Sequence, residues 1–166
     1  MIRVQREPFD PGGELSRFAS ARTDIGGVAV FLGRVRAQSG EVPILAITLE
    51  HYPGMTERKL AEIEAEARRR WPVEDTLIIH RYGRMLPGEP IVMVAVASAH
   101  RQAAFEACQF LIDWLKTRAP FWKCEETPAG ERWVEARESD ERAAARWEAP
   151  ATAEAGSLRP AQPSFS

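Results

Sequence analysis

The chain has 166 residues and a mass of 18.6 kDa, enough for one ordinary domain with its own core and too little for two full-sized ones. Hydrophobic residues make up 45% and charged residues 28%, a balance that excludes a fibrous or wholly disordered chain, and no apolar run approaches the ~20 residues of a membrane span. The formal net charge of −2 argues against sequence-independent nucleic-acid binding, which needs a basic excess.

The N-terminal stretch MIRVQREPFDPGG lacks the apolar core of a secretory signal, so the cytoplasm is the default compartment. Residues 2–6 read as a short strand and 13–20 as a short helix. The run from Gly26 to Val35 is apolar and rich in β-branched residues, which predicts a strand buried on both faces. A polar, Gly-containing loop follows at 36–41, then an alternating strand at 43–51. From Pro53 a helix carries Leu60, Ile63, Ala67 and Trp71 on one stripe, and Pro72 stops it. Residues 75–82 form a strand, 86–89 a turn, and 90–99 a fully apolar strand. A long helix opens at His100, with Ala104, Cys108, Leu111 and Leu115 on its stripe and Phe105 and Ile112 beside it, and ends at Pro120. Residues 121–126 and 131–135 flank Thr127-Pro128-Ala129-Gly130 as a hairpin. Residues 1–147 therefore read as one α+β domain built on a mixed sheet, and 148–166, rich in Ala, Pro and Ser, as a flexible tail.

The sequence carries no phosphate loop and no nucleophile elbow. Two cysteines, Cys108 and Cys124, and three scattered histidines make no metal motif. The candidates for chemistry are cations at element ends. Arg34 and Arg36 close the first long strand and share one of its faces. His100 and Arg101 sit at a helix start, where their charge opposes the dipole unless an anion binds. Of 22 basic residues only Lys59, Lys116 and Lys123 are lysines. A desolvated lysine can hand over a proton, which arginine cannot. Lys116 and Lys123 flank Pro120 and converge if the chain turns back there. His51 and His80 read as structural, Cys108 as core, and Cys124 as a weak candidate for a nucleophile.

Six short motifs occur in order: Gly33-Arg34-Val35-Arg36, Leu49-Glu50-His51-Tyr52-x-x-Met55, His80-Arg81-x-Gly83, Ser98-x-His100-Arg101-x-x-Ala104-Phe105, Lys116-x-x-Ala119-Pro120-Phe121-Trp122-Lys123 and Trp133-Val134. Together they resemble the MoaE family, the large catalytic subunits of molybdopterin synthase, from about residue 3 to about 147. The resemblance implies an α/β hammerhead-like mixed sheet with an additional small β subdomain. It implies a homodimer within a heterotetramer, with each large subunit binding a small ubiquitin-like sulfur carrier. The carrier's C-terminal Gly-Gly thiocarboxylate would enter the active site and convert cyclic pyranopterin monophosphate (precursor Z) to the molybdopterin dithiolene.

The family's basic pocket positions match Arg36, His100, Arg101, Lys116 and Lys123. Phe31 and Arg137 match further pocket positions, Arg137 as a candidate for the neighbouring subunit's site. By that resemblance Lys116 and Lys123 are catalytic, the others bind substrate, and no cofactor or metal is expected. Cys124 and the tail depart from the family pattern. Two rivals stay open: a non-catalytic dimeric adaptor that only docks a ubiquitin-like tail, and a phosphate-ester enzyme acting without a protein partner.

Overall fold

Two apolar strands with a partner on each side form the centre of the chain, and everything that builds the site hangs from them. The computed structural model describes residues 1–20, 22–135 and 137–148; the expected tail lies outside these residues apart from Glu148. In chain order the elements are β1 (Ile2–Gln5), α1 (Pro11–Ala19), β2 (Gly27–Arg34), β3 (Gln38–Ser39), β4 (Val42–Pro43), β5 (Ala46–His51) and α2 (Met55–Arg70). There follow β6 (Asp75–Arg81), β7 (Gly83–Met85), β8 (Pro90–Ser98), α3 (Arg101–Arg118), β9 (Phe121–Thr127), β10 (Gly130–Val134) and α4 (Glu138–Ala145).

The larger sheet has the order β1-β6-β8-β2, with β1 parallel to β6 and the other pairs antiparallel. This is the mixed α+β sheet expected from the sequence. One face packs on α2 and α3 through Leu60, Ile63, Ile78, Val94, Phe110 and Leu111. The other is covered by α1, where Leu15 and Phe18 meet Leu77, Ile79, Met93 and Ala95. Asp10 caps α1, its carboxylate accepting from the backbone N–H groups of Gly12 and Gly13 at 3.1 and 3.0 Å. With Pro11 in the first turn, this starts the helix two residues before the expected 13–20.

A smaller antiparallel sheet, β10-β9-β5-β7, packs its own core of Val35, Ile44, Ile47, Leu49 and Met85. The third sheet is the two-stranded β3-β4 hairpin; β3 and the turn at Gly40, φ 64°, fall inside the segment expected to be loop, and β4 takes Pro43 from the start of the strand expected at 43–51.

The expectation that fails is the doubly buried strand. β2 lies at the edge of its sheet, and Val30, Phe31 and Leu32 are 41%, 36% and 37% exposed. Its composition suits β8 next door, whose residues Val92–Ser98 are all buried; burial depends on position in the sheet, which a run of apolar residues does not encode. Two side chains expected on helix stripes also move: Phe105 is exposed, and Trp71 lies in the extended residue after α2.

Candidate active site

Lys116 stands in the last turn of α3, where a cation suits the carbonyl end of the helix. Pro120 ends the helix and the chain reverses at once, the Phe121 N–H donating to the Ala119 carbonyl at 2.9 Å. β9 begins there, and its pleat sends Phe121, Lys123 and Glu125 to one face and Trp122 and Cys124 to the other. The reversal brings Lys116 and Lys123 into one cavity of about 490 Å³ between the two sheets, α3 and α4, a size that suits a small organic molecule. β2 contributes Phe31, the following loop Arg36, and the segment before α4 Arg137. Its apolar lining includes Ile47, Leu49, Val92, Ile112 and Leu115. Gly33 also lines it; a Cβ there would come within 2.6 Å of Val92 Cγ1, so any larger residue would have to displace that side chain.

Five expected residues thus meet: Phe31, Arg36, Lys116, Lys123 and Arg137. Arg137 lines this chain's own cavity. His100 and Arg101 do not join them. They are exposed at the opposite end of α3, ~22 Å from Lys116 at 1.5 Å per residue, and within one protomer the expected single cluster is split. Arg34 lines the cavity but is tied down, its Nε donating to the Gly88 carbonyl at 2.9 Å.

Sequence reasoning missed Glu125, whose side chain is only 3% exposed. Its Oε1 lies 3.1 Å from Lys123 Nζ, and its Oε2 accepts from Arg132 Nε and Nη2 at 3.0 and 2.8 Å. Burial works to raise this carboxyl's pKa, but the Arg132 and Lys123 hydrogen bonds outweigh it and hold it below the usual carboxylate range. The carboxylate therefore anchors the Lys123 ammonium at the cavity wall. The signal was present as Lys123-x-Glu125, two residues of one strand face. α4 was missed too, although Glu138, Asp140 and Glu141 mark its first turn; Ser139 and Asp140 close one side of the cavity.

The cysteines are not activated. Cys108 is pushed up to about 11 by burial on the α3 stripe. The Cys124 thiol is raised as well, by burial and by Glu131, Glu126 and Glu50, and it faces away from Lys123.

His80 is buried beneath the cavity, and that burial pushes its pKa down to about 4. The unfolded imidazole takes up its proton near pH 6.5 and the folded one only near 4. Stability is therefore present above pH 6.5 and lost as pH falls from there towards 4. Between pH 7 and pH 5 this residue is expected to remove about 2 kcal/mol. Urea unfolding of wild type and His80→Phe at both pH values checks it: the wild type should lose that much more than the variant.

Comparison with known proteins places the chain in a family. The family profile described as MoaE protein matches residues 4–118. The molybdopterin synthase catalytic subunit of Pseudomonas aeruginosa is 56% identical over 147 residues, 89% of this chain and 98% of that one. The chain belongs to the MoaE family. Membership carries the activity: MoaE chains are molybdopterin synthase catalytic subunits, enzymes of molybdenum cofactor biosynthesis. The fold agrees. The solved MoaE protein of Burkholderia ambifaria superposes with a TM-score of 0.76 at 50% identity, covering 90% of this chain and 99% of that one. A MoaE-like fold also occurs in the Helicobacter pylori complex of subunits 1 and 2 of molybdopterin-converting factor, with a TM-score of 0.69, 19% identity, and 82% and 91% of the two chains covered. No helix among the described residues is long and apolar enough to cross a membrane.

Proposed function

We propose that this MoaE chain moves sulfur from the C-terminal Gly-Gly thiocarboxylate of a small ubiquitin-like carrier to precursor Z, completing the dithiolene of molybdopterin. The observation that carries the reading is the convergence of Lys116 and Lys123 on one cavity whose further cations are Arg34, Arg36 and Arg137. Both the cyclic phosphate and the thiocarboxylate are anions, and cations in a partly desolvated cleft bind them with charge-assisted hydrogen bonds. Arg36 and Arg137 hold the phosphate end, and Phe31 forms part of the wall. Lys116 and Lys123 stabilise the negative charge that develops as sulfur attacks and the carrier leaves, and they move the protons these steps require. The sulfur arrives on the carrier, so neither cysteine is needed. The two free thiols also fit a cytoplasmic setting.

A homodimer gives His100 and Arg101 a role. The outer edge of β2 is unpaired among the described strands and exposes Val30, Phe31 and Leu32, the kind of edge that needs a cover. One end of that edge, at Gly27, lies against Arg101, and the other reaches the cavity at Gly33 and Arg34. Eight strand residues span ~24 Å, close to the separation along α3. Two copies paired antiparallel through β2 about a two-fold axis would set His100 and Arg101 of each beside the cavity of the other. Each dimer then takes two carriers, a heterotetramer.

The direct test mixes the protein with a thiocarboxylated carrier and precursor Z and looks for the dithiolene product. Carrier binding without turnover would favour the adaptor, and turnover without any carrier would favour the lone phosphate-ester enzyme. The dimer arrangement has its own test. A His100→Ala/Arg101→Ala double variant and a Lys123→Ala variant, each inactive alone, are expected to regain roughly a quarter of wild-type activity when their protomers are mixed, because one site in four is then intact. No recovery would remove His100 and Arg101 from the site.

A further inference from the structure

The cavity's polar groups are lopsided. Its arginines and lysines can only donate hydrogen bonds, which suits phosphate and thiocarboxylate but offers nothing to an N–H group. Acceptors come from Glu135, Ser139 and Asp140 around α4 and, on the β6 side, from His80. His80 Nδ1 lies 2.9 Å from the Arg81 carbonyl oxygen. A carbonyl can only accept, so Nδ1 carries the proton and Nε2 keeps its lone pair. Stacking on Phe121, with centroids 3.7 Å apart and planes 16° apart, fixes the ring. Burial keeps the imidazole neutral, so the lone pair persists at neutral pH. Nε2 has no partner among the described residues. His80 itself lines the cavity, so this unpartnered nitrogen belongs to a side chain in the cavity wall.

We propose that His80 orients the substrate heterocycle: Nε2 accepts a hydrogen bond from a ring or amino N–H of the pterin, fixing which edge enters the cavity and leaving the phosphate to the cations. The inference rests on the sulfur-transfer reading above and adds a specificity group to it. A ligand lacking that N–H would leave the lone pair unpartnered and bind more weakly.

The test is steady-state kinetics with precursor Z and thiocarboxylated carrier, on wild type, His80→Phe and His80→Gln. Phenylalanine keeps an aromatic ring for the stack and loses the acceptor; glutamine keeps an acceptor. His80→Phe is expected to raise KM for precursor Z by about tenfold, with carrier affinity unchanged and His80→Gln recovering part of the loss. In the wild type, the ¹⁵N resonance of Nε2 is expected to move when precursor Z is added without carrier, a readout that needs no variant to fold. A wild-type KM in His80→Phe, or an Nε2 resonance unmoved at saturating precursor Z, overturns the inference while the sulfur-transfer reading stands. Failure of the wild type itself to make product overturns that reading and this inference with it.

Discussion

Replacing Lys123 with alanine is expected to slow dithiolene formation by about 10²–10³-fold, the cost of removing one group that stabilises charge in a transition state. Cys124→Ala, one residue along the same strand, is expected to leave the rate close to wild type. The contrast follows from the pleat of β9. Lys123 lines the cavity and is held by Glu125 at 3.1 Å, while Cys124 sits on the opposite face with its thiol pKa raised. Single-turnover formation of product from thiocarboxylated carrier and precursor Z measures both. If Cys124→Ala lost as much as Lys123→Ala, the assignment of roles argued above would be wrong. Glu125→Gln should fall between the two, because it leaves the ammonium in place and removes the charge that positions it.

The largest expected loss of stability belongs to Phe110→Ala, about 3–5 kcal/mol. Phe110 is fully buried on α3, against Trp114 at 4.4 Å, Trp71 at 5.3 Å and Trp147 at 5.7 Å between ring centroids. The Arg70 guanidinium lies over its ring at 4.9 Å. This one side chain therefore joins α2, α3 and the residues that follow α4. Surrounding rings of this size cannot collapse into the space a phenyl group leaves, which puts the cost near the upper part of the range. Calorimetry should show Tm falling by about 10 °C. A loss below about 1 kcal/mol, the range of an ordinary surface change, would mean that α4 is held by its ion pairs instead. Because Arg137, Ser139 and Asp140 wall the cavity, the variant is also expected to bind precursor Z more weakly at temperatures where it is still folded.

Much of this was legible in the chain. The strands at 75–82 and 90–99, the long helix from His100 and the hairpin at 121–135 all stand where periodicity and punctuation by proline and glycine put them. The meeting of Lys116 and Lys123 followed from a helix stopped by Pro120 and a strand begun directly after it. What could not be read was which apolar strand lies at the edge, since β2 and β8 have similar compositions and differ only in having one neighbour or two. The two-residue strands β3 and β4 are shorter than any hydrophobic period. The separation of His100 from Lys116 follows from helix length, and arithmetic on the sequence could have found it. Glu125 escaped because a buried carboxylate is recognised by the cations around it, one of which, Arg132, comes from the next strand.

The alternation along β9 bears on what happens to sulfur in transit. A thiol facing the carrier's tail would be a competing acyl acceptor: it could take the carrier's acyl group as a thioester, with the carrier's sulfur lost as hydrosulfide, or be locked to the carrier through an acyl disulfide when peroxide takes the two electrons. With Cys124 on the face away from the cavity and its thiol pKa raised, the cavity presents cations and the His80 imidazole but no thiol, and on the proposed sulfur transfer the pterin carbon is left as the destination.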